Sequence, residues 1–256
     1  MGMKRLLALL TGVMMTLAAT AAAEEAIGWP ENAVITDYAA LGEELTGLNL
    51  AQDVRGGLRG IEDALASLAA RPVTEPTDDR VSVGKDGTVT VVADGVSISV
   101  MPPFGTIAFG QDAKAQPDVY GLLGDPEGVV RVLKSRNAHV CVLDLAFQTE
   151  IYAVTGHDAV SDLIEDIDGE DTLTLRLLAS RLQKETPDAD VLLLHCGGKA
   201  FLVFDYRRGG WETVVYTSVK NHTNIAFMLV PGDGAITDFE VDVLEILLAD
   251  AVLAGA

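Results

Sequence analysis

Apolar and polar residues change their spacing several times along the 256-residue chain, and each change marks an element. Residues 24–35 have no period and read as an extended lead-in. From Thr36 to about Ala70 the spacing is helical, with Thr36 or Asp37 placed to cap the start. Leu41, Leu45 and Leu48 are followed by Val54, Leu58, Ile61, Leu65 and Leu68, whose steps of 4, 3, 4 and 3 form a heptad seam. Gly56, Gly57 and Gly60 interrupt it, each at about 1 kcal/mol relative to alanine, so the pattern predicts two helices broken near Gly56 or one weak helix. The seam suits either packing on its own domain or homo-oligomer formation through residues 36–70. Two prolines and no hydrophobic period make residues 71–80 a linker.

From Val81 to Val100 short apolar runs alternate with turns at Lys85-Asp86-Gly87 and Ala93-Asp94-Gly95, which predicts a small hairpin sheet over residues 81–100. Residues 105–124 carry no clear pattern. Asp125-Pro126 opens a helix to about Arg136, with aspartate as cap and proline at the first helical position. A hairpin follows, His139–Leu145 with Ile151–Val154. Thr155 and Asp158 have the spacing of a capping box for a helix to about Ile167, and a second helix runs to about Glu185. Val191–Cys196, Ala200–Tyr206, Trp211–Thr217 and Asn224–Val230 read as a β-meander, and Thr237 to Leu253 as a terminal helix. The expected fold is α+β. A mostly antiparallel sheet is covered by helices over residues 81–256, with its main core at 125–256, and an N-terminal helical segment over 24–70 precedes it.

The start of the chain changes where this fold is expected to operate. Lys4 and Arg5 precede an uncharged stretch from Leu6 to Ala23, and Ala21 and Ala23 suit the small pockets of a signal peptidase. Residues 1–23 therefore read as a cleavable signal peptide and the protein as periplasmic or secreted. If the stretch were retained it would be a membrane anchor, but its last six residues are only alanine and threonine, which is weak for a span of ~20 apolar residues.

Charge narrows the partners. The chain has 38 acidic and 18 basic residues, net −20, and loss of Lys4 and Arg5 with the signal makes it −22. Such a surface repels nucleic acid and anionic lipid, so neither is expected as a partner. Residues 191–232 run against the trend, with Asp205 and Glu212 facing Lys199, Arg207, Arg208 and Lys220. Arg207 and Arg208, between Tyr206 and Trp211 at an expected hairpin tip, have the composition of a binding hot spot, with turn solubility as the plainer explanation.

Chemistry is sparse. Cys141 and Cys196 are the only cysteines, and in an oxidising compartment the simplest reading is one disulfide. Their neighbours His139 and His195 raise a Cys/His metal or thiol site, but His195 and Cys196 are adjacent and would point to opposite faces of a strand. The run Asp162, Glu165, Asp166, Asp168, Glu170, Asp171 resembles a calcium loop at its centre, yet Ile164 and Leu175 stand where oxygen ligands are required. No serine-nucleophile, zinc-protease, P-loop or dinucleotide motif occurs, and no metal or cofactor is expected. The sequence thus predicts an exported, non-catalytic protein whose α+β domain binds a protein or small ligand. The alternative is an enzyme whose site is assembled from scattered residues, with His139, Cys141 and His195 as members.

Overall fold

Helices gather on one face of a broad sheet and a second, smaller sheet on the other, because the strands between them are apolar on both sides. In a computed structural model of the chain, residues 27–57, 81–84, 86–112, 116–207, 212–231 and 235–256 are described. The expected signal peptide, the seam residues Leu58, Ile61, Leu65 and Leu68, and the linker lie outside them.

The small antiparallel sheet has the order β1-β2-β3-β11, from Val81–Val83 (β1), Val89–Ala93 (β2), Val96–Val100 (β3) and Val252–Gly255 (β11). The large sheet has the order β4-β5-β6-β10-β9-β8-β7. Its strands are Thr106–Gly110 (β4), Ala138–Asp144 (β5), Thr149–Gly156 (β6), Asp190–Cys196 (β7), Lys199–Asp205 (β8), Val214–Lys220 (β9) and Thr223–Pro231 (β10), and every neighbouring pair is antiparallel. Along β10, Ala226, Met228 and Val230 enter one core while Ile225, Phe227 and Leu229 enter the other. Burial on both faces turns the strand into a continuous apolar run.

The first core holds Tyr38 and Leu45 of α1 (Tyr38–Thr46), Leu50, Ala51 and Val54 of α2 (Leu50–Gly57), and Tyr120 of α3 (Pro117–Tyr120). It also receives Leu133 of α4 (Pro126–Ser135), Val160 of α5 (Ala159–Leu163) and Leu182 of α6 (Thr172–Glu185). The second core lies between the large sheet, the small sheet and α7 (Asp238–Asp250), which contributes Leu244, Leu247 and Leu248. Leu45 and Val54 are fully buried and Leu41 and Leu48 partly so, all packed on the protein's own core; of the heptad seam only Val54 is among the described residues.

The architecture is broadly α+β, and the readings of the terminal helix and of the α5 cap need correction. The terminal helix stops at Asp250, and Val252–Gly255 pairs with β3 instead of extending it. Asp158, not Thr155, caps α5: its carboxylate accepts from Val160 N at 2.8 Å and Ser161 N at 3.3 Å, while Thr155 belongs to β6. The β9–β10 turn is Asn221-His222, both with positive φ (49° and 57°), a conformation the sequence does not advertise because no glycine is present.

Candidate functional site

Strand order decides the cysteines first. Cys141 on β5 faces the helix-covered core, while Cys196 on β7 packs toward α7 and donates its S–H to Glu245 O at 3.1 Å. Four strands separate β5 from β7, so the two lie about 24 Å apart at ~4.8 Å per strand. A disulfide needs Cα atoms within about 7 Å, and both thiols are free. The expected disulfide is therefore corrected. Burial first, then Glu150, pushes the Cys141 thiol up; burial and then Glu245 do the same to Cys196. Reactive thiols are shifted the opposite way.

His139 does not join Cys141 either. The β5–β6 register slips between Ala138 and Val140, leaving His139 as the extra residue of a β-bulge. The bulge turns its ring away from Cys141 and toward Thr155, with Nε2 at 2.7 Å from Thr155 Oγ1. Thr155 in turn donates to Asp94 Oδ2 on the β2–β3 turn, and Gln111 Nε2 lies 3.4 Å from His139 Nδ1. His195 is exposed at the far lateral edge of the sheet, so the His139–Cys141–His195 grouping does not assemble. Among the described residues no group of three or more His, Cys, Asp or Glu converges as a metal site.

The His139–Thr155–Asp94 chain can hold a proton between the two sheets, but it is poorly built for nucleophilic attack. The threonine is buried and its proton is directed at Asp94 Oδ2, which also lies 3.8 Å from His139 Nε2.

The acidic run is neutralised from within. Lys220 Nζ donates to Asp166 Oδ1 at 2.6 Å and Asp168 Oδ2 at 2.7 Å, so an ammonium group occupies the place a cation would take. Asp168 also accepts from Ala200 N at 2.6 Å, which binds the 3₁₀ turn Ile167–Gly169 to β8.

The expected binding tip is likewise engaged internally. Tyr206 is buried in the helix-covered core. Arg207 makes a forked ion pair with Asp205 (Nε–Oδ1 3.0 Å, Nη2–Oδ2 2.8 Å) and reaches Asp238 on α7 at 3.0 Å. The Asp205 hydrogen bonds hold its guanidinium pKa above the usual value. Arg207 thus ties the end of β8 to the first turn of α7, and Arg208 and Trp211 lie outside the described residues.

An apolar feature stands at one end of the large sheet. Phe104 is 99% exposed just before β4, Phe147 is 49% exposed in the β5–β6 turn, and Phe239 is 54% exposed in the first turn of α7. The Thr106↔Asp144 and Thr149↔Pro231 pairings place all three segments at the same end. Each is held by polar bonds. Thr106 N and Oγ1 both donate to Pro103 O, closing the loop beneath Phe104. Asp144 Oδ1 accepts from Ala146 N and Phe147 N. Glu240 takes hydrogen bonds from Thr237 N, Thr237 Oγ1 and Thr149 Oγ1, fixing the first turn of α7 against β6. Phe147 and Phe239 pack in a tilted pair with ring centroids 5.0 Å apart and planes at 47°. The signal for this patch was present in the sequence as aromatic residues at turn positions, Pro-Pro-Phe-Gly and Asp-Leu-Ala-Phe, which solubility alone does not favour.

Comparison of the chain with protein-family models, with curated proteins and with solved structures finds no match.

Proposed function

We propose that the chain is an exported, non-catalytic binding protein whose α+β domain docks a protein partner through the end that carries Phe104, Phe147 and Phe239. The carrying observation is that three of the chain's seven phenylalanines are exposed at one end of the large sheet, two of them in ring contact, each on a segment fixed by its own hydrogen bonds. Pre-ordered aromatic side chains bind with little further loss of freedom, and such residues dominate interface energetics. The net charge of −20 favours a partner whose apolar pocket lies within a basic surface. Export is supported by the order of basic, apolar and small residues in 1–23. Among the described residues no helix is long and apolar enough to cross a membrane.

Serine at all three positions is expected to weaken partner retention at least about tenfold, since hot-spot aromatics each carry 2 kcal/mol or more. Thermal stability should stay nearly unchanged, because exposed side chains contribute little to folding. Immobilised wild-type and variant protein, presented with extract of the producing cells, should differ by one discrete retained species. Equal retention by the variant would overturn the reading.

A further inference from the structure

The two lateral edges of the large sheet are finished differently. At β4 the buried Gln116 side chain imitates a neighbouring strand, accepting from Gly110 N at 2.6 Å and donating to Ala108 O at 3.2 Å, and Tyr120 donates its hydroxyl to Gly110 O. At β7 Gln183 does the same for one rung, accepting from Val191 N at 2.8 Å and donating to Ala189 O at 2.6 Å. Beyond that rung no described residue protects the edge. Val191 N points outward, so alternation turns the N–H and C=O of Leu193 and His195 outward too. Neither residue's outward groups have a hydrogen-bond partner among the described residues. The strand has no proline, bulge or lysine, and its centre is Val191-Leu192-Leu193-Leu194. Leu192 is 57% exposed on it, and Ile246 is 57% exposed on α7.

We infer that β7 is the site at which a second copy of this chain adds, antiparallel, to continue the sheet across a two-fold axis. One register satisfies both the hydrogen bonds and the side chains. With the axis at Leu194, Leu193 pairs with the partner's His195 and the reverse, so four hydrogen bonds use the outward N–H and C=O groups of Leu193 and His195 and leave both Gln183 rungs intact. A register centred on Leu193 would set the partner's His195 against Val191, whose N–H Gln183 already holds. Leu194 and Cys196 share the face toward α7. In the Leu194-centred register Leu194 meets the partner's Leu194, and Leu192 meets the partner's Cys196, giving an apolar cross-strand row. Asp190 falls beside the partner's Gly198 and Lys199. Two mature chains of −22 repel at long range, so association strengthens as salt screens them. This contact is independent of the phenylalanine end, and failure of either leaves the other standing.

The test is light scattering on the whole mature chain, with cysteine cross-linking. Wild-type protein is expected to be dimeric at high concentration in ~0.5 M salt, where the Debye length is only about 4 Å. Leu192→Lys and His195→Pro should each weaken the dimer at least about tenfold; the second removes an outward N–H that no ladder bond uses. Circular dichroism confirms that each variant is folded, and His195→Pro decides the matter if Leu192→Lys is not. With Cys196→Ser as background, Leu194→Cys should form an inter-chain disulfide under mild copper-phenanthroline oxidation. Non-hydrogen-bonded antiparallel neighbours have Cα atoms about 4.5 Å apart, within disulfide reach. Leu192→Cys in that background should not cross-link to itself. A wild-type monomer at every concentration and salt level, dimers unaffected by both variants, or equal cross-linking at 192 and 194 would overturn the inference.

Discussion

Replacing Glu150 by glutamine is expected to stabilise the protein by about 3 kcal/mol at pH 8 and to leave it unchanged at pH 4. Glu150 lies on β6 in the helix-covered core, 1% exposed. It accepts from Ala51 N at 2.9 Å at the start of α2 and from the Tyr152 hydroxyl. Burial pushes its carboxyl from the ordinary 4.5 up to about 7, against the opposing pull of the Tyr152, Ala51 and Leu50 hydrogen bonds. The folded state therefore keeps a proton that the unfolded state releases. This group's contribution to stability is fully present below pH 4.5 and is lost as pH rises to about 7, at about 1.4 kcal/mol per pH unit. Glutamine has the shape of the protonated acid, keeps an oxygen for Ala51 N, and has no charge to bury. Urea denaturation of both proteins from pH 4 to 8 reads the difference directly. Parallel stability profiles across that range would show that Glu150 titrates normally in the fold.

Asp158→Ala is expected to cost about 3 kcal/mol, about 1 for the lost helix cap and the rest for donors left buried without an acceptor. The carboxylate joins distant parts of the chain. One oxygen caps α5 through Val160 and Ser161; the other accepts from Thr36 N at 3.4 Å and Thr36 Oγ1 at 3.2 Å. Nearby, Ala159 N donates to Val34 O at 2.8 Å, so the lead-in to α1 is bound to α5. The variant should show a lower urea midpoint and faster cleavage at Glu43 and Glu44 by a glutamate-specific protease. Asp158→Asn, which keeps the capping oxygen, should lose about half as much. An unchanged midpoint in Asp158→Ala would mean that water replaces the carboxylate without cost.

Elements whose signal is local were legible in the sequence. The turns around Asp86-Gly87 and Asp94-Gly95 place β1, β2 and β3, and Asp125-Pro126 places α4. The two-residue break Gly197-Gly198 (φ 56° and 79°) places the β7–β8 turn. What failed was set by contacts between distant residues. The bulge that turns His139 toward Thr155 depends on how β5 registers with β6, not on the residues around His139. The cysteines were paired on the strength of compartment and count, while strand order sets them five strand spacings apart and they enter opposite cores. Lys220 neutralises Asp166 and Asp168 from more than 50 residues away. Arg207 pairs with Asp205 two residues away, but its second partner, Asp238, lies 31 residues further on. Val252 and Leu253 were read as the end of the terminal helix because apolar residues do not reveal that the edge of β3 is open to receive them.

The docking claim is tested most directly by placing the photo-cross-linker p-benzoyl-phenylalanine at position 104 in the producing cells, with the exposed Leu173 of α6 as the control site. The expected result is one discrete cross-linked species from position 104, lost when Phe147 and Phe239 are both changed to serine, and none from position 173. No adduct at 104, or the same adducts from both positions, would contradict a docking role for the phenylalanine end.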